Sequence, residues 1–189
     1  MDTFRVDSAT QSDLGAVSSL IDGAAAWLRT KGTDQWRRPW PSWQGRVARV
    51  MDGIESGKTW IAWDGHNAAA TITVEDRADP KLWNEWEGAE PAAYVHRLVV
   101  NRRYAGLGLG AALLNWAGDR AVDAYGAKSI RIDVWTTNMA LHRYYERQGF
   151  IFVRECSDLS YPSGALFQRD ITRKPPTPGI VLECVHTKG

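Results

Sequence analysis

Three alternating glycines, in the run Ala105-Gly106-Leu107-Gly108-Leu109-Gly110, follow a strand-like segment ending in Leu98-Val99-Val100 and precede a helical pattern. A strand, a glycine-rich turn and a helix start make a phosphate cradle. Glycine lets a ligand approach the backbone, and the first N–H groups and dipole of a helix favour negative charge. The spacing rejects two nucleotide motifs. Gly106-x-Gly108-x-Gly110 misses the Gly-x-Gly-x-x-Gly of a dinucleotide fingerprint, and Gly110-Ala111-Ala112 lacks the Lys-Ser or Lys-Thr of a P-loop. Alone, the run leaves a plain strand-to-helix turn equally open.

Periodicity supplies the elements that must position this run. Phe4 to Ser8 alternates as a strand, and Thr10 with Asp13 starts a helix carrying Leu14, Val17, Ile21, Ala24 and Leu28 on one face. The segment 33–41 is a loop by its prolines. Ser42 then caps a second helix with Trp43, Val47, Val50, Met51 and Ile54 facing inward, and Gly57 lies past its end. Two strands, Thr59 to Trp63 and Ala69 to Glu75, flank the turn 64–67. The polar segment 76–91 reads as a loop inserted beside the active site. A strand over 93–100 leads into the glycine run, and a helix closed by Gly126 follows. Ser129 to Trp135 is a strand, Asn138 to Gln148 a helix stopped by Gly149, and 150–155 with 165–171 a closing antiparallel pair across the turn 161–164. The order predicts an α/β domain over 1–171, a mixed, mostly antiparallel sheet flanked by helices, and a C-terminal extension over 172–189. Within that extension Ile180 to Val185 would add an edge strand or pack on a partner chain, which leaves a homodimer open.

Composition narrows the function classes. Twenty-three Lys and Arg against 22 Asp and Glu give a net charge of +1, no electrostatic footprint for nucleic acid or an anionic membrane. No stretch is long and apolar enough to span a bilayer. Two cysteines, Cys156 and Cys184, and no zinc-like spacing predict no metal site. The start, Met1 to Arg5, lacks a signal peptide's apolar stretch, so the cytoplasm is the expected compartment. Ten tryptophans stand out, and Trp36, Trp40, Trp83 and Trp86 fall in loop-like segments, where they would wall a pocket or simply pack.

Two blocks together resemble one family. The run 100–114 looks like the acetyl-CoA loop of the GNAT acyltransferases, whose pattern opens with Gln or Arg before the glycines; aligned on the helix start, Ala105 stands at that opening position, while Arg103-Tyr104-Ala105-Gly106-Leu107-Gly108 also satisfies the pattern two residues earlier. The block 138–150 resembles the family's late motif, with Asn138, then Tyr145 seven positions on, Glu146 and the pair Gly149-Phe150. The resemblance implies the GNAT acyl-CoA N-acyltransferase fold, with acetyl-CoA as cofactor.

It also implies roles. The amides of 105–110 would hold the pyrophosphate (Ala105, Gly106, Leu107, Gly108, Leu109 and Gly110), with Arg102 or Arg103 supplying charge. Leu98, Val99 and Val100 would pair with pantetheine like an added strand, and one amide there would polarise the thioester carbonyl. Asn138 would bond the pantetheine arm, cap its helix, or do both. Tyr145 would protonate the coenzyme A sulfur, against a reading as a core aromatic on the face of Leu141; a phenol of pKa about 10 suits such a donor. His96 stands where many members carry a strand Glu and would act as base, with Glu75 in reserve, against a structural histidine. Asp34, Gln35 and Trp36 would build the acceptor wall, Asp34 attracting a cationic amine, and Trp135 would border it. His66 and His142 read as turn and surface residues. The expected activity is acetyl transfer to a primary amine, of a small molecule by preference. A protein or peptide acceptor, or a non-catalytic acyl-CoA sensor, stays open.

Overall fold

The computed structural model describes residues 1–39, 41–156, 162–172, 175 and 177–184. Trp40, Tyr161, Pro176 and Val185 therefore lie outside the described residues. One eight-stranded sheet runs in the order β6-β7-β5-β4-β3-β2-β1-β8. Its strands are β1 Asp2–Ser8, β2 Thr59–Asp64, β3 Asn67–Glu75, β4 Ala92–Val100, β5 Ser129–Val134, β6 Ile151–Glu155, β7 Ala165–Asp170 and β8 Ile180–Cys184. β4 runs parallel to β5 and β1 parallel to β8, while the other neighbours are antiparallel. The C-terminal segment is thus part of the sheet: β8 pairs with β1, and Ile180 is buried in the main core.

Helices α1 Leu14–Arg29, α2 Trp43–Glu55, α3 Glu85–Gly88, α4 Leu109–Tyr125 and α5 Met139–Arg147 complete the fold. Local chemistry sets their ends. Asp13 closes a capping box with Thr10 on the 3-10 turn Gln11–Asp13 that leads into α1, Ser42 Oγ accepts from the Gly45 amide, and Asn138 accepts from the Leu141 amide. One face of the sheet carries α1 and α2 around Val17, Ile21, Val50, Ile54 and Val99. The other carries α4 and α5 over Ile72, Ala93, Val95, Ile130 and Ile132. Leu113 and Leu114 are wholly buried there, each worth about 2 kcal/mol of transfer free energy. Trp43, expected on the inner face of α2, is instead exposed and stacked on Arg46 at 4.2 Å, because the buried stripe runs through Val50, Gly53 and Ile54.

The feature that matters most for function is a break in the sheet. The β4–β5 ladder ends at Val95↔Ile132, yet β4 continues to Val100 and β5 to Val134. Opposite β3 the register of β4 slips between Thr71 and Thr73, a bulge centred on Arg97, whose φ is +49°. Such a bulge bends its strand. A left-handed non-glycine residue costs about 1 kcal/mol, so the surrounding structure holds it there. Beyond the bulge β4 still pairs with β3 at Val99 and Val100, and its other edge is open.

The segment 76–91 packs elsewhere. Trp83 is buried against Tyr94, and Glu87 takes both its carboxylate oxygens to Arg154 on β6. Arg131 donates to the Glu87 carbonyl as well. None of these residues reaches the opening, which corrects the expectation of a loop beside the active site.

Candidate active site

A cavity of about 880 Å³ passes through the opening between β4 and β5. Alternation along the strands assigns its walls. Ala93 and Val95 on β4, with Ile130 and Ile132 on β5, point to the α4–α5 face. Tyr94, His96, Arg131 and Asp133 therefore point the other way. The first rung past the last backbone pair is consequently made by side chains. His96 Nδ1 lies 2.8 Å from Asp133 Oδ1, and Ser163 Oγ donates to Asp133 Oδ2 at 2.7 Å. Both partners of the His96–Asp133 pair are largely shielded from water.

Across the opening, Tyr145 is buried on the α4–α5 face, edge-on to Tyr144 and Phe150. Burial, and then the neighbouring Tyr144 and Asp133, push its phenol well above the ordinary range. It therefore stays protonated, a proton donor rather than a base. Tyr144 also lines the cavity, and burial raises its phenol too.

The cradle forms at the start of α4. Gly106 and Gly108 have φ of +85° and +90°, conformations that favour glycine. Gly108 is the N-cap and brings no side chain to the first amides of the helix, which leaves them to a ligand. Gly110 is bare for a different reason: a Cβ there would lie 2.7 Å from Tyr144 Oη. Of the expected cradle residues, Ala105, Gly106, Gly108, Leu109 and Gly110 line the cavity, while Leu107 turns outward. Arg102 lines it, its guanidinium 4.0 Å over the Trp27 ring; Arg103 lies over Tyr104 instead. Leu98, Val99 and Val100 present the open edge of β4.

Asn138 both caps α5 and donates to Gln35 Oε1 at 2.6 Å, tying the loop after α1 to the opening. Gln35, Trp36 and Trp135 line the cavity. Asp34 does not. Its carboxylate accepts from the Trp135 indole at 3.0 Å and from Thr137 at 2.6 Å, bonds that hold it below its usual range. It anchors the wall rather than facing an acceptor. Of the other loop tryptophans, Trp83 is core and Trp86 is 89% exposed; neither lines the cavity. Glu75 pairs opposite Tyr94 at the far end of the strand and is not a lining residue. His142, expected at the surface, is buried: its Nε2 lies 3.0 Å from the Trp135 carbonyl, and its ring packs edge-on to Phe167. Among the described residues no three His, Cys, Asp or Glu cluster as a metal site, and no helix is long and apolar enough to cross a membrane.

Comparison with known proteins agrees with this geometry. The model of the Acetyltransferase (GNAT) family matches residues 15–150. The chain belongs to the GNAT acetyltransferase family. It is 31% identical over 174 residues to the uncharacterized N-acetyltransferase YesJ of Bacillus subtilis, covering 90% of this chain and 92% of that one. In fold it matches a GNAT-family acetyltransferase from Listeria monocytogenes with a TM-score of 0.70 at 24% identity, covering 88% of this chain and 94% of that one. It also matches the PaiA N-acetyltransferase of Thermoplasma acidophilum, solved with coenzyme A, with a TM-score of 0.67 at 14% identity, over 88% and 98% of the two chains.

This GNAT acetyltransferase is an acyltransferase whose acyl donor is acetyl-CoA. The residues present fit that group: bare helix amides with Arg102 beside them for phosphate, and an unpaired strand edge for an extended amide-bearing arm. Sequence reasoning missed Asp133, Ser163 and the arginines of α2. Asp133 was within reach, since residues 131, 133 and 135 share one strand face. The others depend on tertiary neighbours that no spacing encodes.

Proposed function

We propose that this enzyme acetylates the primary amine of a small molecule by direct attack. The observation that carries the reading is the His96–Asp133 pair on the α1–α2 side of the opening, with Tyr145 on the opposite side. Bound acetyl-CoA supplies the activated thioester. Asp133, 2.8 Å from His96 Nδ1, holds the imidazole by charge on that side, which leaves Nε2 to remove a proton from the acceptor ammonium, directly or through water. Ser163 holds the far oxygen of Asp133 and fixes the carboxylate. An amide on the open edge of β4 stabilises negative charge developing on the carbonyl oxygen. Tyr145, kept neutral by burial, donates to the departing sulfur. Among the described lining residues there is no cysteine, and the Ser163 hydroxyl is engaged by Asp133, which supports the amine itself as nucleophile. The walls formed by Trp36, Trp135 and the loop 33–39 favour a compact acceptor.

Thiol release from acetyl-CoA, screened over small primary amines and short peptides, tests the proposal. For the best amine, kcat/KM should rise with pH as the base loses its proton. His96→Gln should abolish that rise and lower the rate by about 10²- to 10³-fold. Tyr145→Phe should lower kcat with little change in KM. An unaltered pH profile in His96→Gln removes the base, and preferential turnover of peptides removes the small-molecule acceptor.

A further inference from the structure

The acceptor side of the cavity is lined by arginines, and from it we infer that the acceptor amine also bears an oxyanion, a carboxylate, phosphonate or phosphate group. The inference rests on the acetyl-transfer reading above. Among the described residues, six cations line the cavity (Lys31, Arg38, Arg46, Arg49, Arg97 and Arg102), against the single carboxylate of Asp133. That carboxylate is already engaged by His96 and Ser163.

Apart from Arg38, on the loop after α1, the cations divide into two groups. Lys31 and Arg102 flank the Trp27 ring, at 5.4 and 4.0 Å, and Arg102 adjoins the glycine run, where cofactor phosphates belong. Arg46, Arg49 and Arg97 lie on the α1–α2 side with the His96–Asp133 pair. Arg46, Arg49 and Val50 turn one face of α2 to the cavity, and Arg97 leaves β4 at the bulge. Arg46 is braced by Asp22 at 2.7 Å and by the Trp43 ring. Arg97 Nε reaches Thr73 Oγ1 at 3.4 Å.

Two locally unfavourable residues meet at this point. A left-handed position is cheapest with glycine, yet the bulge carries Arg97. A helix interior disfavours glycine, yet α2 carries Gly53, where a Cβ would lie 2.7 Å from Thr59 Oγ1 and 3.2 Å from Arg97 Nη2. Each choice makes sense as a means of holding one guanidinium beside the reacting base. Guanidinium groups offer a simple ammonium no partner here. An amine joined to an oxyanion is drawn in by it, since guanidinium pairs well with carboxylate and phosphonate. Asp34, the residue expected to attract a cationic acceptor, does not line the cavity, and its carboxylate is taken by Trp135 and Thr137.

Isothermal titration calorimetry decides the matter without turnover. The protein is first titrated with coenzyme A, then, saturated with it so that the phosphate cradle is filled, with β-alanine, 3-aminopropylphosphonate, inorganic phosphate, propylamine and 1,3-diaminopropane. The anionic probes should bind at least tenfold tighter than propylamine or the diamine; whether β-alanine or the phosphonate wins identifies the oxyanion. Arg97→Gly, which relaxes the bulge backbone, and Arg49→Gln, on the exposed side of α2, should each weaken anion binding about tenfold and leave coenzyme A affinity within twofold. Equal or tighter binding of the neutral or dicationic amines, no binding of any anionic probe, or unchanged anion affinity in both variants overturns the inference. Absence of coenzyme A binding in the first titration instead overturns the acetyl-transfer reading.

Discussion

Gly110→Ala probes the cradle through a single added methyl. Gly110 does not have a positive φ, so alanine meets no backbone strain, and a helix gains at most about 1 kcal/mol from the exchange. The obstacle is steric. The new Cβ would lie 2.7 Å from Tyr144 Oη, nearer than real Cβ atoms come, while the next contacts, Val100 Cγ2 at 3.6 Å and Tyr144 Cζ at 3.9 Å, are ordinary. Tyr144 cannot swing away freely, because its ring packs edge-on to Tyr145 with centroids 5.2 Å apart. Overpacking of this kind costs about 1–3 kcal/mol, leaving a net loss of about 1–2 kcal/mol after the helical gain. In a chain of 189 residues each kcal/mol moves Tm by about 2–4 °C. Coenzyme A affinity should fall about tenfold as the displaced ring crowds the cavity. Tyr144→Phe removes only the clashing oxygen, so Gly110→Ala/Tyr144→Phe should recover most of both losses. Thermal unfolding and coenzyme A titration of the four proteins give the coupling directly. Additivity within about 0.5 kcal/mol would refute the reasoning, because it would mean the two groups do not meet.

Three further outcomes follow from the charges. Arg154 beside Glu87 holds that carboxyl below its ordinary range, so the pair stabilises the fold above about pH 4 and the contribution is lost as pH falls through the lowered value; an acid unfolding series should flatten there in Arg154→Met. Burial holds the Tyr144 and Tyr145 phenols above theirs, so their stabilising effect is complete below about pH 10 and is lost on further alkalinisation, with tyrosinate absorbance appearing together with unfolding. Thr137 and Trp135 hold the Asp34 carboxyl low, so Asp34→Ala should change Trp135 fluorescence and raise acceptor KM while leaving coenzyme A affinity unchanged.

What could be read from the sequence divides along a physical line. The cradle was legible because its requirement is local: glycines with φ of +85° and +90° and a bare helix start are written in consecutive residues. The caps at Thr10, Ser42 and Asn138 were legible for the same reason. Trp43 misled because a helical stripe has two edges, and only packing against the sheet decides which edge is buried. His142 misled because a polar residue on a charged helix looks exposed until the Trp135 carbonyl arrives to meet it. Segment 76–91 looked like an active-site insertion because its anchors, Arg131 and Arg154, are distant in sequence and ordinary in type.

The same division separates what holds the cofactor from what selects the acceptor. On the proposed reading phosphates and an extended amide arm would be met by backbone, so this side of the site would need glycine and an open strand edge more than any particular side chain, and Ala105 could stand where the family pattern opens with Gln or Arg. The proposed acceptor side is lined by side chains from α2, β4, β5 and the loop after α1, brought together only by folding. The bulge at Arg97 joins the two. It bends β4 at the place where the β4–β5 ladder has just ended, so the cofactor edge stays open, and it turns His96 and Arg97 toward the same face. Moving the bulge by one residue would turn one of these two side chains from the acceptor side toward the core. Base position, anion position and cofactor slot therefore stand or fall with one irregular rung.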